Sequence, residues 1–416
     1  MHRIFAALVA VSACASIAQA QSAATDPIFT LNAALSQAGI SSPSIQAASA
    51  GVRSTEAARA VAGLRPNPSI VTQTENIGGS GQYRGLRSAE TTAGIELPIE
   101  LGGKRAARVA VADAQVGRAQ IAAAMAMADL RLAVTRAYIE AVTAERRLTT
   151  SREQAAIANE ALRAARIRVR AGRASPIEEQ RADVMRINAE AGLERAERTL
   201  EVARSNLARR IEQPVPGALD LAWFDRIGNY GPSTPIDPAG TLALMAAQAD
   251  VSTANAQVLL ARSQRVPDIT LNASARRLEA TNDTAAVFGL SIPFPLFNNG
   301  SAAIAQAQAN REQTDAQRRA TEREVDQAIA VAEAEVANAA ITARTASGPA
   351  LAAATESARI ARIGYREGKF GQLDLLDAER TLSETRVAAI DALAAYHDAQ
   401  ARRDRLTTAA PDLTKD

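Results

Sequence analysis

Leu97-Pro-Ile-Glu-Leu-Gly-Gly-Lys-Arg105 marks a change of period in this sequence. Before it, Ala93, Ile95, Leu97 and Ile99 alternate with Thr92, Gly94 and Glu96, the period-two pattern of a strand with one apolar face. After it, residues 102–170 contain no proline and are dominated by Ala, Arg, Glu, Gln and Met, which favour helix. The same switch recurs at Ile292-Pro-Phe-Pro-Leu-Phe-Asn-Asn-Gly300, after the apolar alternation of Ala286, Phe288, Leu290 and Ile292. Two such junctions predict an internal two-fold repeat of helix, strand, loop, strand, long helix, tight turn and helix.

The first repeat occupies 21–212. A helix over 27–64, broken near Gly39 to Pro43, ends at Leu64-Arg-Pro-Asn-Pro68, because two prolines so close cannot continue it. Strands at about 68–76 and 91–99 flank the Gly-rich loop Ile77 to Gly85. The long helix 102–170 stops at Ala171-Gly-Arg-Ala-Ser-Pro176. There Gly172 suits a helix C-terminus, Ser175 a cap and Pro176 the first position of helix 177–211. An equatorial linker, 213–238, carries Pro214, Pro216, Pro232, Pro235, Pro238 and the single tryptophan, Trp223.

The second repeat, 239–406, opens with a helix over 239–265. Strands follow at about 267–276 and 284–293, with Ile269, Leu271, Ala273 and Ala275 on one face of the first. A long helix over 301–366 should kink at Gly348-Pro349. The turn Arg366-Glu-Gly-Lys-Phe-Gly371 matches the first turn in position and leads to helix 372–406 and a disordered tail, 407–416.

Aromatic residues make up only 3% of the chain, which suits long helices with thin Ala-rich seams better than a thick core. The net charge of +2 gives no nucleic-acid footprint. Met1-His-Arg, the apolar run Ile4 to Ala13 and Ala18-Gln-Ala20 read as a signal peptide over 1–20. Val11-Ser-Ala-Cys14 offers the alternative of lipidation at Cys14, the only cysteine. No catalytic nucleophile motif, phosphate loop or dinucleotide fingerprint is present, and no cofactor is expected. The two histidines, His2 and His397, form no metal cluster.

Each strand has the roughly ten-residue length that crosses an outer membrane when tilted. The helical run of about 65 residues would reach on the order of 100 Å at ~1.5 Å per residue. Four strands cannot close a barrel, since the smallest membrane barrels need about eight, so several chains must contribute. The helix before each strand pair, 27–64 and 239–265, stacked end to end on 372–406 and 177–211, would match a long helix. The expected fold class is therefore mainly α with a membrane β-barrel continued by a helical tunnel. A periplasmic coiled-coil adaptor, also built from a helical hairpin and strands, is the alternative of a different class.

Leu64 to Pro68, Leu97 to Arg105 and Tyr365-Arg-Glu-Gly-Lys-Phe-Gly-Gln-Leu-Asp-Leu-Leu-Asp-Ala-Glu-Arg380 resemble the TolC-type outer-membrane channels of tripartite efflux pumps and type I secretion systems. The likeness covers nearly the whole mature chain and is greatest to the heavy-metal (cobalt-zinc-cadmium) branch. It implies a homotrimer in outer-membrane lipid, a twelve-stranded barrel, a periplasmic adaptor and an inner-membrane resistance-nodulation-division transporter. Drug efflux and type I secretion are the other cargo classes of such channels. It also implies an aperture lined by Asp374 and Asp377 with Tyr365 in its gate network; where TolC has an arginine in that turn, this chain has Phe370. The turns holding Gly172, Arg173, Ser175 and Pro176, and Gly368, Lys369, Phe370 and Gly371, become candidate adaptor contacts. Pro98, Gly102, Gly103, Pro293, Pro295 and Gly300 become the barrel-to-tunnel junction, with Pro98 interrupting strand pairing and Lys104 and Arg105 near lipid headgroups. Glu96 and Arg276, with Glu75, would face the lumen.

Overall fold

The computed structural model describes residues 28–228 and 237–411. The expected signal peptide with Cys14, residues 229–236 of the linker and residues 412–416 of the tail lie outside the described residues. Helices α1 (Leu31–Ser41) and α2 (Pro43–Ala62) lead into strands β1 (Ser69–Glu75) and β2 (Glu90–Ile99). Helix α3 (Lys104–Arg170) then runs unbroken for 67 residues, and α4 (Pro176–Ile211) returns beside it. A short helix, α5 (Leu221–Phe224), interrupts the linker. The second half repeats the order with α6 (Leu242–Ser263), β3 (Ile269–Leu278), β4 (Asp283–Ser291), α7 (Ser301–Thr345), α8 (Leu351–Arg366) and α9 (Gln372–Leu406).

Between α7 and α8 the helix does not break at Gly348-Pro349. Ala346–Ala350 form one π-helical turn, and the backbone on both sides stays right-handed, with Thr345 at φ −67° and Leu351 at φ −67°. The wider turn accommodates a ring that has no N–H to donate and would crowd the preceding carbonyl in an α-helix.

The four strands form one antiparallel sheet in the order β1-β2-β3-β4, so the hairpins of the two repeats join at β2–β3. Its exposure is inverted relative to a sheet that packs on a core. The apolar residues of β2 are the open ones, with Ile95 55% and Leu97 43% exposed, while Glu90, Thr92 and Glu96 between them are half-buried. Leu271 on β3 and Phe288 and Leu290 on β4 are open on the same face. The polar face is the more covered one. Gly94 is required there, because a Cβ would come within 2.2 Å of the Ser274 Cβ and 2.6 Å of the Ala273 carbonyl oxygen.

Below the sheet, α3 packs against α2 and α6 near the strands and against α4 and α9 further down. The shorter helices stack within each repeat, not across repeats as the lengths alone suggested. The start of α1 meets the end of α4, where Ala34 and Ala38 join Leu207 and Ile211 in one cluster. The start of α6 meets the end of α9, where Thr241 pairs with Ala409 and the Ala410 N–H donates to Gly240 O at 3.0 Å. Seams between helices are alanine: Ala34, Ala141, Ala340, Ala343 and Ala358 are wholly buried. Small side chains let the axes approach to the lower end of the usual ~8–10 Å.

The thickest packing is a belt at mid-height, where Leu219 and Phe224 from the linker join Phe29, Tyr138 and Tyr396. Burying a side chain such as Phe224 contributes about 1.5–3 kcal/mol. The Tyr138 hydroxyl donates to Phe29 O at 2.8 Å and accepts the Asp220 N–H at 3.0 Å; burial pushes its pKa up to about 12. His397 is buried here, stacked on Trp223 at 4.3 Å between centroids, with Nε2 donating to Phe224 O at 2.9 Å.

Candidate functional site

The end of the helical column farthest from the sheet holds two turns with the same backbone logic. After α3, Gly172 adopts φ +70° and the Arg173 N–H reaches back to Arg168 O at 2.9 Å. After α8, Gly368 adopts φ +73° and the Lys369 N–H reaches back to Gly364 O at 2.8 Å. This is the left-handed helix stop that glycine adopts without Cβ strain. Ser175 caps α4, its hydroxyl accepting the Ile177 N–H at 3.4 Å, and Pro176 occupies the first turn.

The side chains make the two turns unlike. Phe370 lies flat over Gly364, where a Cβ would come within 2.1 Å of the ring. Tyr365 is 7% exposed and bridges the turns. The Arg168 guanidinium sits 4.4 Å from its ring centroid and donates to Tyr365 O at 3.5 Å, while the Tyr365 hydroxyl donates to Glu178 Oε2 at 3.4 Å. Gln372 adds a bond from Nε2 to Glu178 O at 2.9 Å. Burial pushes the Tyr365 hydroxyl pKa up. One turn above, Arg362 and the nearly buried Glu379 pair bidentately across α8 and α9, with Nη2 to Oε2 at 2.7 Å.

Asp374 and Asp377 are both exposed on the first turns of α9. Asp374 is partly committed: its Oδ2 accepts the Gly371 N–H at 2.9 Å and so caps its own helix. The sequence pointed to Tyr365 and these aspartates but missed Arg168, Glu178 and Gln372. Aligning the two turns would have found Glu178, which occupies in the first turn the place of Asp374 in the second.

At the opposite end, the predicted junction residues fall into two groups. Gly102 and Gly103 at φ +69° and +72° turn β2 into α3. Pro98 remains in the ladder with β3 opposite Thr270; the prolyl residue lies beyond β1, whose pairing starts at Ser69 opposite Glu96. It therefore limits pairing on one side only. Lys104 is 14% exposed and bound to Asp268 at 2.7 Å, so it is a structural cation, whereas Arg105 is exposed. Pro293 and Pro295 border the second junction, which ends at Gly300 with φ +77°.

Within the sheet, Arg276 lies on the polar face with Glu75, Glu90 and Glu96. It binds Glu90 at 3.1 Å and Thr92 Oγ1 at 3.0 Å and approaches Glu75 at 3.6 Å. Among the described residues no cluster of three or more His, Cys, Asp and Glu side chains is placed to hold a metal ion, and no helix is long and apolar enough to cross a membrane. What the arrangement offers is a sheet with one exposed apolar face and one polar face, a long helical column and a turn pair latched by side chains.

Comparison with known proteins agrees with that shape. The model of the family described as outer membrane efflux protein matches residues 34–211 and 239–408, one stretch in each repeat. The chain is 32% identical over 391 residues to the cobalt-zinc-cadmium resistance protein CzcC of Cupriavidus metallidurans, covering 91% of this chain and 90% of that protein. A membrane protein of Pseudomonas aeruginosa superposes with a TM-score of 0.78 at 20% identity, covering 91% of this chain and 90% of its own. The outer membrane protein VceC of Vibrio cholerae superposes at 0.73 with 19% identity, covering 91% and 96%.

Proposed function

The chain belongs to the outer membrane efflux protein family, and from that premise we propose that it is the passive exit duct of a tripartite efflux pump, assembled as a trimer. The inverted exposure of the sheet carries this reading: apolar side chains face out, where lipid would be, and polar ones face a water-filled lumen. Strands β1 and β4 each leave an edge unpaired in the single chain. In lipid such edges would strand backbone N–H and C=O groups, so β4 of one copy joins β1 of the next. Four strands in each of three copies make twelve, above the minimum of about eight. The helices beneath continue the barrel as a periplasmic tunnel.

Energy and selection then lie with partners, a resistance-nodulation-division transporter in the inner membrane and a periplasmic adaptor that meets the two tip turns. The cargo is heavy-metal cations, a reading supported by likeness to the cobalt-zinc-cadmium resistance protein over nearly its whole length. The tip is the aperture. Tyr365, Arg168, Glu178 and Gln372 hold the second turn against the first, and opening parts them. Asp374 and Asp377, repeated three times, ring the mouth with carboxylates that favour cations.

Reconstituted in planar bilayers, the purified trimer should conduct in steps and prefer cations. A protein extracted from the envelope by salt alone, with no conductance, would sink the channel. A strain lacking the gene should lose cobalt, zinc or cadmium tolerance; unchanged metal tolerance with lost drug tolerance would remove the metal cargo. Replacing both Asp374 and Asp377 by Ala should lower cation selectivity, and Tyr365→Phe should raise the open fraction. Unaltered selectivity and gating would count against the aperture.

A further inference from the structure

The apolar stripe of β4 outlasts the sheet. Phe288 and Leu290 are 81% and 61% exposed, and the alternation runs on past the last rung at Ser291 through Ile292, Phe294 and Leu296, with Phe297 at 98%. Pro293 and Pro295 have no N–H to offer, so this segment presents side chains without extending the ladder. The first junction has no counterpart, because α3 begins at Lys104, soon after the last residue of β2.

Beside this stripe stand cations without acids. Among the described residues no carboxylate lies within ion-pair reach of Arg265, which borders the second junction, or of Arg262, three residues before it. Arg265 uses Nε to donate to Asn299 O at 3.2 Å, which leaves the donors of its two terminal nitrogens for another acceptor. Arg262 is exposed one turn earlier on α6. Lys104, Arg265, Pro293, Phe294 and Asn298 border one open cleft of about 420 Å³. The C-terminal end of α6 carries partial negative charge, which two full positive charges outweigh.

We propose that this cleft and stripe seat an anionic glycerophospholipid of the membrane's periplasmic leaflet, its phosphate against Arg265, with exposed Arg262 adding positive charge from three residues earlier, and an acyl chain along Phe294 and Ile292 toward Phe288. The inference rests on the barrel reading above, which makes this end of the strands the periplasmic one. Charge complementarity selects the occupant. In the trimer proposed above, the next copy's β1 pairs with β4 and brings its own Arg65 and two prolines toward this end, which adds positive charge beside the cleft. A zwitterionic headgroup finds no carboxylate in the cleft for its amine except Asp268, which Lys104 already holds. An anion attached to apolar chains satisfies both halves of the surface.

The test is native mass spectrometry of the detergent-solubilised full-length assembly, titrated with phosphatidylglycerol, with phosphatidylethanolamine or with inorganic phosphate. Wild type should retain phosphatidylglycerol in preference to phosphatidylethanolamine. Arg262→Gln with Arg265→Gln should weaken that retention about tenfold or more, and Phe294→Ala should weaken it further. Arg262→Gln alone, which removes no side-chain hydrogen bond or ion pair among the described residues, should show a smaller loss in the same direction. Equal retention in the variants and wild type, with trimer and conductance intact, would overturn the seat. So would displacement of the lipid by inorganic phosphate at matched concentration, which would make it a phosphate site. Dissociation of the trimer by Phe294→Ala with lipid retention unchanged would assign the stripe to a neighbouring copy instead. A wild type that neither inserts into vesicles nor conducts would remove the barrel reading itself, an outcome separate from these.

Discussion

At the first junction the chain leaves β2 at Ile99 and enters α3 at Lys104, using two consecutive left-handed glycines. At the second it leaves β4 at Ser291, passes two prolines and two asparagines, and enters α7 at Ser301. The first is locked by charge: Asp268 accepts the Leu101 N–H at 3.1 Å and binds Lys104, and Glu100 pairs bidentately with Arg108, which also reaches Leu64 O at 3.2 Å. The second is locked by amides: Asn298 Oδ1 accepts the Gly300 N–H at 3.1 Å and Asn299 Oδ1 the Ser301 N–H at 3.0 Å. A duplicated unit has kept the bend and changed what holds it. The first junction is short and covered by its own salt bridges, the second long, without charged residues of its own, and exposed.

Adding a methyl group at each glycine should separate the two most clearly. Gly102 combines positive φ with a Cβ position only 2.6 Å from Val266 Cβ and 2.9 Å from Ser263 O. Backbone must shift, so Gly102→Ala should cost more than the roughly 1–2 kcal/mol of left-handed strain alone. Gly103 meets nothing within 4 Å, so Gly103→Ala should cost about the strain alone. Gly300 meets Arg265 Cγ at 2.8 Å, so Gly300→Ala should fall between the two, since the Arg265 side chain must shift but no backbone lies closer than 3.7 Å. Thermal unfolding of the purified protein, with outer-membrane yield, gives the ranking. A Gly102→Ala protein as stable as Gly103→Ala would show that the close approach to α6 is not needed.

The next effect belongs to the second junction. Removing both amides, Asn298→Ala with Asn299→Ala, strips the two turn bonds to the Gly300 and Ser301 N–H groups ahead of α7 and should cost about 0.5–1.5 kcal/mol for each bond lost. Neither α3 nor α7 has a side-chain cap at its first glycine, so the start of α3 depends on the ion pairs and the start of α7 on these amides. If the double variant unfolds at the wild-type temperature, the amide bonds are redundant and Arg265, through Asn299 O, holds the turn by itself.

How much of this was legible in the sequence depends on the range of the interaction. The strand-to-helix switch, both tip turns and the caps at Ser175 and Pro176 rest on neighbours in sequence, and residue type reports them. The apolar and polar faces of the sheet were readable from alternation, down to the grouping of Glu96 with Arg276. The partnership of Asp268 with Lys104 and Leu101 was not, because nothing local in Pro267-Asp-Ile marks a residue that reaches the other repeat. At the tip, the resemblance marks Tyr365 and alignment of the turns marks Glu178, but not that the two bond; nor is Gly364 marked, which looks like an ordinary helical glycine until Phe370 folds over it. The stacking of the short helices was misjudged because length alone cannot tell which ends meet; the bridge of Thr241 to Ala409 decides it.

Acid should produce the smallest effect and resolve it in two stages. His397 is buried among Trp223, Phe224 and Tyr396, with Asp225 the nearby charge; burial holds its pKa below the usual 6.5 despite the bond to Phe224 O. The folded state therefore binds this proton less readily than the unfolded chain. Its contribution is whole above 6.5 and declines as pH falls from there toward the folded value. At the first junction the bond from Arg108 holds Glu100 below its ordinary 4.5. Burial pushes Asp268 up, but Lys104, the Leu101 N–H and Arg108 outweigh it and leave it below 3.8. Those contributions are whole above the ordinary values and are lost only at lower pH, as each group protonates through its folded value. Trp223 stacks on His397 and is the only tryptophan, so its emission reports the belt alone. On descending titration the emission should change first and the unfolding temperature should fall again near the carboxylate range. Glu100→Gln with Asp268→Asn should flatten the second stage and leave the first, and His397→Gln should do the reverse. The second junction, which holds no carboxylate, should contribute to neither; a wild-type second stage in the double variant would mean that the acid-sensitive lock lies elsewhere.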